Sequence, residues 1–272
     1  MTAETTQEID NPRLWRLGIE LTPQMLHIVR ASTVADASLR RTSIPLSGDS
    51  YLKSLEEAVY ATPDLLADYG RTYIVVRTDA FTVVPRSADD ECARLCVDCA
   101  CLVDDDVPSE VFVDDAEAAK VAWTMPADVA GFLARTFRNA PMYSLITPLI
   151  RFFVRRTAMG NSAKLFAHID GGYLDIVIFS PDGKLAAAVT HTIETDTDAL
   201  YFIMACAKDA GMDPHTDEIL LCGDPDRRLS LMPLLSRYAA NVMPIIFPSA
   251  ALRAGREAFK APFPLIILPL CE

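Results

Sequence analysis

The feature that most constrains this chain is an order of elements that occurs twice. In the first half, residues 14–20 and 25–31 are apolar, β-favouring runs separated by Leu21-Thr22-Pro23-Gln24, where Thr-Pro marks a hairpin turn. Residues 39–46 add a third strand. Residues 51–60 carry Leu52, Leu55, Ala58 and Val59 at helical spacing, and residues 71–78 contain the buried-strand run Tyr73-Ile74-Val75-Val76. The second half repeats this order. Strands at 164–169 and 174–179 flank Asp170-Gly171-Gly172, and a third at 184–193 follows the turn Pro181-Asp182-Gly183. A helix at 196–210 and a short buried strand at 218–222 complete it, followed by a helix at 227–239 and an extended run at 241–247. The repeat is one of element order, with no recurrence of residues.

Between the halves, the spacing predicts helices at 89–100, 128–138 and 144–156, the last with an early Pro148, and short strands at 110–113 and 121–125. Met159-Gly160-Asn161-Ser162 reads as the linker. The expected organisation is a disordered tail at 1–12, an N-terminal lobe at 13–158 with an inserted subdomain at about 86–125, and a C-terminal lobe at 163–272.

Composition narrows the function. Apolar residues make up 51% of the 272, enough for a substantial core, and charged residues only 23%, against a disordered chain. Twenty-five basic against 37 acidic residues give a net charge of −12, which argues against nucleic acid as the main ligand and against a basic membrane-binding face. Residues 1–12 lack the pattern of a secretory leader, and the apolar stretches 242–251 and 262–271 are broken by prolines and shorter than the roughly 20 residues of a spanning helix. A cytoplasmic protein without membrane insertion is expected, its seven cysteines reduced.

Several clusters invite a chemical reading. Cys92, Cys96, Cys99 and Cys101 do not have zinc or ferredoxin spacing; three of them fall on one helix face, where packing into the core is expected. The acidic stretch Asp104-Asp105-Asp106, Glu110, Asp114-Asp115, Glu117 lacks the glycine of a calcium loop and reads as a solvated loop, or as a docking face for a basic partner. His168 and Asp170 share a strand face, but with Asp175 and His191 they cannot all converge. Arg151, Arg155 and Arg156 surround Phe152 and Phe153 on a helix whose phenylalanine side packs inward, its arginines reaching water or the helix's own carbonyls. No catalytic or metal-binding motif is present, so no catalytic or metal residue is assigned.

The doubled order resembles the actin-like ATPase fold of actin, sugar kinases and heat-shock chaperones: a duplicated, ribonuclease H-like α/β arrangement of two lobes, each a mixed sheet flanked by helices. The second half is similar to pilus-assembly members of that superfamily, through Lys120-Val121-Ala122-Trp123-Thr124-Met125-Pro126, Leu149-Ile150-Arg151, the run from His168 to Asp175, and Ile219-Leu220-Leu221-Cys222-Gly223-Asp224. The whole chain resembles an uncharacterised bacterial family of this fold through Phe81-Thr82-Val83-Val84-Pro85, the helix around Leu145, and residues 220–224.

The resemblance implies a nucleotide site on three turns, and each departs from the family pattern. Where Asp-x-Gly is expected first, the chain has Glu20-Leu21-Thr22, with His27 near the later polar position and Pro23 lacking an N–H. The second turn is His168-Ile169-Asp170 or, in a shifted alignment, Asp170-Gly171-Gly172. The adenosine turn keeps one glycine, Gly223, followed by Asp224, whose carboxylate would repel a nucleotide. The expected function is a non-catalytic scaffold or protein-binding module with an eroded nucleotide site and no cofactor, its partner a protein, with a basic one suited to this acidic chain. The alternative is a weak ATPase or small-molecule kinase using ATP and magnesium, in which Glu20, Asp170, Gly171 and Gly223 contact metal, phosphate and adenosine.

Overall fold

The computed structural model describes residues 9, 11–35, 38–48, 50–101, 107–157 and 161–271. Most of the expected N-terminal tail, the run Asp104-Asp105-Asp106 and the linker residues Met159 and Gly160 lie outside the described residues.

Three strands, β1 (Trp15–Leu21), β2 (Met25–Ser32) and β3 (Arg40–Pro45), meander antiparallel as the hairpin chemistry predicts. Helix α1 (Tyr51–Tyr60) starts where the Ser50 side chain accepts the Lys53 N–H, and buries Leu55, Ala58 and Val59. It returns the chain to β4 (Arg71–Val76), parallel to β1. The excursion β5 (Phe81–Val84), α2 (Asp90–Ala100), β6 (Ser109–Asp115) and β7 (Lys120–Pro126) forms a separate antiparallel sheet in the order β5-β7-β6. Helix α3 (Ala127–Thr136) leads to β8 (Met142–Ser144), three residues parallel to β4 that the sequence reading did not anticipate, its last residue, Ser144, having been expected to open the next helix. Helix α4 (Ile146–Thr157) begins two residues later.

The second half runs β9 (Lys164–Asp170), β10 (Tyr173–Phe179), β11 (Leu185–Thr192), α5 (Asp196–Asp209), β12 (Glu218–Gly223), α6 (Pro225–Leu235) and β13 (Asn241–Pro244). The two large sheets have the same order, β3-β2-β1-β4-β8 and β11-β10-β9-β12-β13, which is the repetition seen in the sequence. The short helices α7 (Ser249–Leu252) and α8 (Phe263–Ile267) close the chain.

Helix α4 packs between the halves. Phe153 is fully buried and stacks on Phe166 of β9 at 4.3 Å, while Phe152 and Phe153 both meet Phe263 of α8. Each such ring contributes about 1.5–3 kcal/mol from its burial. The last 27 residues of the described chain also pack against the first half: Tyr73 Oη donates to the Leu265 carbonyl at 2.9 Å, and Arg41 pairs with Glu257 at 3.0 Å. The arginines of α4 hold neighbouring chain. Arg156 donates to Phe152 O of its own helix, Arg151 to Asp115 O, and Arg155 to Leu270 O and Cys271 O.

Two expectations are corrected. Helix α2 buries Ala93 and Val97; of the cysteines expected in its core, Cys92 and Cys99 are exposed and only Cys96, half-buried, packs against that small core, as does Cys101. Ala93 and Val97, an i, i+4 pair, take the face toward Val84 of β5 and Ala122 of β7, and Cys92 and Cys99 fall outside it. The acidic stretch is no solvated loop where it is described: Asp114 lies in β6 and is buried, Asp115 pairs with Arg86, and Glu117 pairs with Arg155.

Candidate functional site

The carboxyl ends of β1, β4 and β9 converge, and the parallel pairing of β1 with β4 decides what meets there. Glu20 lies beside Val75, and Arg77, one residue past β4, donates its N–H to Leu21 O at 2.8 Å. From there the Arg77 side chain crosses to the second half. Its Nη1 donates to both oxygens of Asp175 at 3.1 and 3.2 Å, and its Nη2 to Asp170 Oδ2 at 3.4 Å. The guanidinium also sits 4.5 Å over the ring of Tyr173. The side chains of Arg77 and Asp175 are only 3% and 1% exposed.

Antiparallel register places His168 opposite Asp175, and His168 Nδ1 donates to Asp175 Oδ2 at 2.9 Å. Thr190 of β11 donates to the other oxygen at 2.8 Å. Desolvation opposes ionisation of Asp175, but Arg77 and these hydrogen bonds outweigh it and hold its pKa at about 2. His191 lies apart, stacked on Phe202 at 4.1 Å, as the strand alternation required. Glu20 is the converse case. It is wholly buried, neither carboxyl oxygen has a hydrogen-bond partner among the described residues, and burial with the nearby Asp170 drives its pKa well above the usual carboxylate range. The cluster therefore sets three carboxyl groups and His168 around a single arginine, and burial disfavours charge on Glu20.

The three turns are occupied by their own local structure. In the first, Thr22 N–H donates to Met25 O, Pro23 has none, and the N–H groups of Gln24 and Met25 both reach Thr22 Oγ1. No amide from Thr22 to Met25 is left to cradle a phosphate. In the second, Gly171 adopts φ 57° as a hairpin turn requires, and its carbonyl accepts from Arg227. In the third, Gly223 has φ 89°, and a Cβ there would lie 1.9 Å from Ile169 O, so close approach of β12 to β9 fixes the glycine. Asp224 caps α6, its Oδ1 accepting from the N–H groups of Asp226 and Arg227.

A cleft of about 470 Å³ opens beside this cluster. His168, Asp170, Gly223 and Asp224 line it, with Arg228 and Phe263. Of the remaining expected residues, Glu20 sits behind Arg77, while Thr22, Gly171 and Gly172 are not on the cleft wall. His27 lines the wall and is tied to Ser43 at 2.8 Å, burial lowering its pKa. Arg77 was missed in the sequence. Its signal was a lone cation closing the apolar run of β4 level with the end of Glu20's strand. Among the described residues no three histidine, cysteine or acidic side chains are grouped to hold a metal. Glu20, Asp170 and Asp175 are the carboxylates a divalent cation would address, and Arg77 stands among them.

Two equally ordered mixed sheets joined through a central helix, with a cleft at the carboxyl ends of their strands, define the actin-like ATPase fold. A solved Bacteroides thetaiotaomicron protein described as having that fold and unknown function is 20% identical, with TM-score 0.75 over 96% of this chain and 99% of its own. The structure of a PilM-PilN type IV pilus biogenesis complex matches at 16% identity and TM-score 0.57, over 96% of this chain and 99% of the matched one. The chain belongs to the family described as protein of unknown function (DUF3822), whose model matches residues 4–242. No curated protein matches it. Among the described residues no helix is long and apolar enough to cross a membrane.

Proposed function

We propose that this protein is a non-catalytic actin-like scaffold that binds another protein and does not depend on nucleotide. The observation that carries this reading is the buried Arg77, which spans from β4 to Asp175 and Asp170 and supplies internally the positive charge a nucleotide-bound cation would bring. The occupied amides of the first turn and the helix-capping role of Asp224 support it. The similarity to PilM, seen in complex with PilN, supports a protein as partner. The test is a titration with ATP and ADP, with and without Mg²⁺, followed by thermal shift and calorimetry. A ligand at a hundredfold excess over Kd adds about 2.7 kcal/mol of stability. The expected result is no shift at millimolar nucleotide; a Mg²⁺-dependent shift overturns the reading.

The cleft itself favours a second reading, since Arg41, Arg228 and Lys260 line it together with Phe259 and Phe263. In that reading the protein binds ATP weakly, with Asp170 as the metal contact. Asp170→Ala then abolishes the Mg²⁺ dependence, and unchanged affinity and turnover in that variant dismiss it.

A further inference from the structure

The largest of the cavities described in the molecule, about 780 Å³, lies away from the cleft, and two sheet edges form its walls. One wall is β5, the terminal strand of the three-stranded sheet; the other is β11, the terminal strand of the second large sheet. Val154 of α4 and Ala118 and Ala119 of the β6–β7 turn lie between them. Terminal strands present rows of backbone N–H and C=O groups with no ladder partner, and such rows are matched by an extended main chain. The β11 wall is Leu185-Ala186-Ala187-Ala188-Val189, so small side chains leave a backbone free to approach, and the whole pocket wall is apolar apart from its backbone, Thr82 and two cations.

Those cations, Arg86 and Lys184, are the only charged residues lining the groove among the described residues, one on each wall. Each is exposed and engaged only in a surface ion pair, with Asp115 and Asp182 respectively, of a kind worth little and readily exchanged. The net charge of −12 suggests a basic partner, but the charged side chains that line the groove are Arg86 and Lys184, and a ligand carboxylate can replace the surface partner of each.

We propose that this groove is the docking site for the partner, and that its occupant is an extended peptide segment that adds as a strand to the β5 or β11 edge, with apolar side chains facing Val154 and carboxylates reaching Arg86 and Lys184. The proposal rests on the scaffold reading and goes further by naming the surface and the ligand chemistry.

The experiment is selection of a displayed random dodecapeptide library against the full chain, with the enriched peptides synthesised and measured by fluorescence anisotropy. Ala186 is exposed on the groove wall, so Ala186→Trp fills the groove without entering a core. The paired reversal Arg86→Glu with Lys184→Glu reverses the rim charge and gives up the two surface ion pairs with Asp115 and Asp182. The expected result is enrichment of alternating apolar and acidic sequences whose affinity falls at least tenfold in Ala186→Trp and in the double reversal, with both variants keeping the parent's melting temperature. Peptides that bind both variants as tightly as the parent overturn the groove and leave the scaffold reading intact, whereas the nucleotide titration alone decides that reading. Enrichment of basic sequences, or no enrichment at all, also overturns the proposal. Self-association that Ala186→Trp abolishes would assign the groove to a second copy of the chain and overturn it equally.

Discussion

Arg77→Met removes the charge that joins the halves while keeping most of the side-chain volume, and the structure gives two routes to its cost. The pair with Asp175 is buried and doubly hydrogen-bonded, and removing one member of such a pair costs about 3–5 kcal/mol because the other charge is stranded. Independently, Asp175 is held at about 2 against an ordinary 3.8, and a lowering of about 1.8 corresponds to roughly 2.4 kcal/mol. Arg77 is the leading favourable cause, so most of that is lost with it. The two routes agree on about 3 kcal/mol near neutral pH. The sign follows from the lowered pKa: this stability is present above about pH 3.8 and disappears as pH falls through about 2. The deficit of the variant therefore shrinks in acid, where its stranded Asp175 is protonated. Urea unfolding followed by tryptophan fluorescence, at pH 7 and at about pH 2.5, measures this. Arg77→Met with Asp175→Asn removes both charges and is expected to recover to within about 1–2 kcal/mol of the parent. A loss below 1 kcal/mol for the single variant, or a double variant no more stable than the single one, refutes the view that this pair holds the halves together.

Burial pushes Asp114 up to about 6 although Ser144 N–H and Thr147 Oγ1 donate to it, so the folded state keeps a proton that the unfolded state releases near 3.8. Its contribution is complete below about pH 3.8 and is lost as pH rises through about 6, a change of about 3 kcal/mol; Asp114→Asn is expected to flatten urea midpoints across that window, and an unchanged slope contradicts it. Gly223→Ala is expected to lose at least about 3 kcal/mol or fail to fold, because its Cβ would overlap Ile169 O at φ 89°. Gly171→Ala, with open space and φ 57°, should lose only about 1 kcal/mol, and equal thermal shifts would remove the distinction. Alkylation of the native protein with mass-spectrometric mapping should modify Cys92 and Cys99 first. Cys222 and Cys271, buried and with raised pKa values, should react only on unfolding.

The legible part of the fold was the part with local chemistry. Thr22-Pro23, Asp170-Gly171-Gly172 and Asp182-Gly183 are turn signals that fix hairpins, and hairpins fix which strands neighbour each other in β1–β3 and β9–β11. Strand β8 was missed because three residues beside an apolar helix carry no period of their own, and α7 and α8 because prolines interrupt the pattern. The exposure of Cys92 and Cys99 could not be read either. Helical spacing says which residues share a face, but which face meets the sheet depends on the footprint of β5-β7-β6.

The cluster at the cleft shows where such reading stops and what replaces it. Glu20, His168 and Asp170 were singled out in the sequence through the turns of the resemblance, yet what surrounds Glu20 and Asp170 is set by Arg77, a residue distant in sequence from both. Arg77 is 98 residues from Asp175 and 93 from Asp170, and only the parallel return of β4 beside β1 aims it at them. A single arginine closing an apolar strand is a weak sequence signal, but it acquires meaning once that strand is known to be central. A cation at the carboxyl end of a central strand must either stay in solvent or be matched by carboxylates across the cleft. Here it is 3% exposed, so carboxylates had to match it, and Asp175 and Asp170 do. The same requirement explains Glu20. With the one buried cation already shared between Asp175 and Asp170, burial disfavours a further charge on Glu20, and its pKa is raised accordingly. On the scaffold reading, Arg77 occupies the place between Asp170 and Asp175 at which a nucleotide-bound cation would otherwise be recruited.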